Sequence, residues 1–183
     1  MTASPRLAAL IATAGLTLAA ATSARAMTGA CLWDHLRPET RSALIRGYLR
    51  DGPDVLDRVY VSDQEFDAVD AACEGRRTDE RVKERLLAAV VFEHGSAVYL
   101  KQRLGWRDDD IQHAWERIAP DGLAMLRRSA DTILEEKDPI NDDLSGPVRA
   151  FLPPRQNDDP PLADQARGYL TSRAMREAIE RRG

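Results

Sequence analysis

The chain has 183 residues, 43% hydrophobic, 5% aromatic and 31% charged, with two cysteines. This balance excludes a disordered low-complexity chain, a collagen-like repeat and a disulfide-dense mini-scaffold. One apolar stretch alone approaches the length of a bilayer span, which excludes a polytopic membrane protein, and a formal charge of −4 gives no support to a nucleic-acid binder.

Residues 7–24, LAALIATAGLTLAAATSA, are apolar, with Arg6 before them and the triplet Ala24-Arg25-Ala26 at their end. A basic start, an apolar stretch and an A-x-A ending are the parts of a secretory signal peptide, so cleavage is expected after Ala26. The strongest apolar run, Leu7 to Ala21, falls short of the ~20 residues of a membrane-spanning helix. The expected location is therefore periplasmic or secreted. A competing destination lies in Thr28-Gly29-Ala30-Cys31, a loose lipobox with Thr28 where Leu is usual, which would anchor a lipoprotein through Cys31. Cleavage after Ala26 removes Arg6 and Arg25 but no acid, so the remaining 157 residues carry 24 basic and 30 acidic groups, a charge of −6.

An exported chain with two cysteines pairs them. A Cys31–Cys73 bond closes a loop of about 43 residues, worth about 4 kcal/mol by loop-closure entropy. It would staple an N-terminal helical hairpin. No C-x-x-C supports a redox-active pair.

Pro38 opens the first expected helix, which runs to the Asp51-Gly52-Pro53 break with Leu44, Ile45 and Tyr48 on one side. Val59-Tyr60-Val61 is strand-like but too short for a sheet. Ser62-Asp63-Gln64-Glu65 reads as a capping box for a helix bearing Phe66, Val69, Ala72 and Cys73. Thr78-Asp79-Glu80 opens the longest helix, with Val82, Leu86, Val90, Ala97 and Leu104 at helical spacing to Gly105; Gly95 marks a position for a kink. Asp108-Asp109-Asp110 begins a shorter helix that turns Ile111, Trp115 and Ile118 inward and ends at Pro120-Asp121-Gly122. A further helix carries Leu123, Leu126, Ala130, Ile133 and Leu134.

Residues 139–161 hold six of the ten prolines and read as an extended arm, with at most a short turn around Val148–Leu152. Leu162 to Arg182 resumes as a helix. The expected architecture is all-α: a signal peptide over 1–26, a helical core over 27–138, a Pro-rich arm over 139–161 and a C-terminal helix over 162–183.

The chain contains no P-loop, dinucleotide, nucleophile-elbow, zincin or haem-attachment motif. Asn141–Gly146 imitates half a calcium loop, but the twelfth position is Leu152, where a bidentate Glu is required. Asp108–Asp110 suits a helix start better than a metal site. The 23 Arg are interleaved with acids as on a solvated surface.

One constellation has a chemical reading. Folding back at Gly105 would bring His94 and Glu116 level, with Glu93 beside them, as a proton-transfer pair or partial metal site; His113 should face away. Against this, a satisfied polar contact at a helix crossing weighs more, and no cofactor is expected. The leading functional expectation is a non-enzymatic exported binding or interaction protein, a class that includes stress-accessory and inhibitor (immunity-type) proteins. Its partner would be another periplasmic or cell-envelope protein, met by the arm and C-terminal helix through Tyr169 and Arg173. The alternative is a small helical enzyme or metal-binding protein using Glu93, His94 and Glu116.

Overall fold

The computed structural model describes residues 27–73, 78–136 and 143–182, and among these the fold is entirely helical. Eight α-helices follow one another as α1 (Gly29–His35), α2 (Pro38–Asp51), α3 (Asp63–Ala72), α4 (Glu80–Leu104), α5 (Asp108–Glu116), α6 (Pro120–Leu134), α7 (Ser145–Phe151) and α8 (Pro160–Arg182). Short 3-10 turns at Gly52–Asp57 and Pro154–Gln156 follow α2 and α7. The expected all-α bundle is present, and Cys31 and Cys73 form a disulfide with their Cα atoms 5.8 Å apart. The signal-like segment and Asn141-Asp142 of the half calcium loop lie outside the described residues.

Local chemistry explains the helix starts. Thr28 caps α1 by accepting from the Cys31 amide at 3.2 Å, and Ser62 caps α3 from the Glu65 amide. At α5 the Arg107 amide donates to the Asp110 carboxylate at 2.8 Å, so the acidic run is spent on the helix start as expected. Pro120 does not end a helix. It occupies the first turn of α6, where its missing N–H costs nothing.

Val59-Tyr60-Val61 forms no strand, in keeping with a fragment too short for a sheet. One further element differs from expectation. Within the arm, Pro147, Val148 and Phe151 bury one face of α7, giving a seven-residue helix where a turn was expected. Gly95 leaves α4 unbroken and serves packing instead: a Cβ there would run into the Tyr48 ring.

The most extensive contact between two elements joins α4 to α8, and α8 also packs on α6 and α7. Leu32, Leu36, Leu44, Leu86, Leu100, Leu126, Phe151 and Leu170 are fully buried in one continuous core that α8 shares. Several polar groups inside it are paired. The Tyr48 hydroxyl lies 2.7 Å from Ser96 Oγ, and burial pushes its pKa up. The buried Glu65 carboxylate accepts from the Arg37 amide at 2.8 Å, Arg37 Nε at 2.9 Å and the Thr40 hydroxyl at 3.0 Å. Burial alone would raise its pKa, but those donors outweigh it and hold the group below the usual carboxylate range. Lys83, nearly enclosed, pairs with Asp70 and with Glu80.

Candidate binding groove

Glu93, His94 and Glu116 are held separately. Glu93 accepts from Arg176 Nε and Nη2 at 2.6 and 3.2 Å, in a half-buried fork joining α4 to α8. His94 stacks on Trp33, ring centroids 4.2 Å apart and planes 11° from parallel. Burial, then the charges of Arg176 and Lys101, push its pKa down to about 4, so the imidazole is neutral at pH 7. Glu116 is exposed and accepts from the Gln112 side chain at 2.7 Å. His113 is exposed on α5, as the helical wheel predicts.

Tyr169 and Arg173 are built into the bundle. Tyr169 is buried and stacks on Phe151 at 5.3 Å, while Arg173 donates to its hydroxyl at 3.0 Å. The same guanidinium donates to Gln112 Oε1 and to Glu177, and lies 4.3 Å from the centre of the Trp115 ring. It thereby clamps α5 to α8.

A groove lies between α5 and α7, lined by other residues. Trp106, Asp110, His113, Arg117, Arg149 and the Pro153-Pro154 pair line about 480 Å³ of open space, within the range of ligand clefts. Asp110, His113 and Arg117 follow one another at intervals of three and four residues along α5 and just past it, which places them on one side of that helix. The arm supplies the opposite wall. Three rings run from the core to the opening: Tyr169 stacks on Phe151, and Phe151 meets Trp106 edge-on at 5.5 Å. Arg117 Nη2 donates to the Phe151 carbonyl at 3.1 Å, satisfying a free acceptor at the end of α7 and fixing one guanidinium at the rim. Arg149 is held by the Ser145 hydroxyl at 3.3 Å.

Chemically, the groove offers two oriented guanidiniums and one indole against a single carboxylate, Asp110, that already serves a helix cap. A shallower depression of about 430 Å³ lies over Trp33, Pro38, Arg41, Ser42, Ile45 and Arg46. In the sequence, the signals for the groove are a tryptophan in the short α4–α5 connection and a Pro-Pro pair after an apolar turn. Arg117 and Arg149 are indistinguishable there from the other arginines. Comparison of the chain with protein families, with characterised proteins and with solved structures found no match.

Proposed function

We propose that the chain is an exported helical binding protein, periplasmic or secreted after cleavage near Ala26, whose α5–α7 groove holds a carboxylate-bearing segment of another envelope protein. The observation that carries this reading is that two guanidiniums and an indole line one open cleft. Arginine matches a carboxylate with two parallel donors, and an indole adds apolar area at little entropic cost. Export is supported by the signal-like segment and by a disulfide of the kind that persists in oxidising compartments. Acylation of Cys31 would need the sulfur that the disulfide uses, so export without a lipid anchor is the simpler reading.

A photo-crosslinker placed at exposed His113 in producing cells should trap one envelope protein. The same label at exposed Arg81, at the start of α4, should not. Reversing the rim with Arg117→Glu and Arg149→Glu should abolish the adduct while helicity is retained. Equal trapping from both positions, or an adduct that survives charge reversal, would sink the proposal.

A further inference from the structure

We propose that Cys31, Cys73 and His35 form a soft-metal site that opens when the disulfide is reduced. Cys31 lies on α1, His35 follows four residues later on the same helix face, and Cys73 caps the end of α3. The ligand atoms of these three residues all lie within 4.8 Å of one another. His35 Nδ1 is 3.5 Å from Cys31 Sγ and 3.7 Å from Cys73 Sγ. A tetrahedral metal bound to sulfur at about 2.3 Å and to nitrogen at about 2.0 Å places its sulfur and nitrogen ligands about 3.5 Å apart. The imidazole already stands at that separation. The two sulfurs would part to about 3.8 Å once the bond between them is broken.

A dithiol reductant supplies two electrons and two protons to the disulfide, leaving two thiols here and a disulfide on the donor. A divalent metal then displaces both thiol protons as the thiolates bind. Neutral His35 binds through Nδ1, its proton moving to Nε2, and gives up the contact its Nδ1 makes with the Cys31 carbonyl at 2.9 Å. Three protein ligands leave the fourth position to water. Solvent has access, since His35 is exposed and Cys31 half-buried.

The pair stays assembled after reduction because other contacts hold the two helices. Leu32 and Leu36 are buried, and Arg37, just past α1, is fixed to Glu65 of α3 by its amide and its guanidinium. The Gly29 amide is tied to Glu180 at 2.8 Å.

The test uses the purified chain, reduced with a phosphine, which becomes its oxide as water supplies the two thiol protons, and titrated anaerobically with Co²⁺. One Co²⁺ per chain should bind with thiolate-to-metal absorption and release of two protons. The oxidised chain and a Cys31→Ser, Cys73→Ser variant should show neither. His35→Ala, with its fold checked by circular dichroism before reduction, should bind Co²⁺ at least ~10-fold more weakly. Absence of thiolate absorption, equal affinity in His35→Ala, or loss of helicity on reduction would each overturn the proposal.

Discussion

His94 is a histidine that the fold keeps uncharged. Its folded pKa of about 4 lies below its unfolded value of about 6.5, so the unfolded chain binds more protons as the pH falls. Its contribution to stability is therefore complete above about pH 6.5 and is lost as the pH drops towards 4. Between pH 7 and pH 4.5 this amounts to about 2 kcal/mol. A His94→Phe variant keeps a ring on Trp33 and does not titrate. Urea unfolding of both proteins at the two pH values should show the parent losing about 2 kcal/mol more than the variant.

At the scale of elements, the disulfide links α1 to α3 across a sequence separation of 42. Cys31→Ser with Cys73→Ser should lower unfolding free energy by about 2–4 kcal/mol, read from the urea midpoint, with helical content little changed. The hydrophobic periodicity of α3, α5 and α6 is strong enough to be read along the chain. That of α1 is not: GACLWDH opens with glycine and has too few turns to show a period, so its helix rests on the Thr28 cap, the buried leucines and the link to α3. Pro120 and Gly95 carry ambiguous signals. Proline ends one helix and starts another with the same preferences, and glycine inside a helix marks either a bend or a close neighbour. Here the neighbour is the Tyr48 ring. The groove was illegible for a different reason. Its walls come from residues 106–117 and 149–154, and no local pattern records that the two meet.

Across the whole molecule, α8 is structural. Leu162, Tyr169, Leu170 and Ile179 are buried along it; at about 2 kcal/mol for each large side chain this is about 8 kcal/mol, comparable with the ~5–15 kcal/mol net stability of a domain. A chain ending before Pro160 should lack a cooperative thermal transition by circular dichroism. The expected arm and C-terminal helix thus meet the core differently. The arm lines the groove, while α8 lies against α4, α6 and α7. A binding assay on a chain shortened at residue 138 would report loss of fold, so substitutions at the rim are the cleaner probe.

The hydrogen bond from the Gly29 amide to Glu180 spans 151 positions. The first turn of α1 is therefore completed by the last turns of α8, where Arg176 also bridges Glu180 and Glu93. A chain made N-terminus first cannot make that contact until Glu180 has emerged from the ribosome. Loop closure over such a distance comes late in folding. The helix that appears first is thus finished late: α1 waits until α8 has followed it and supplies Glu180.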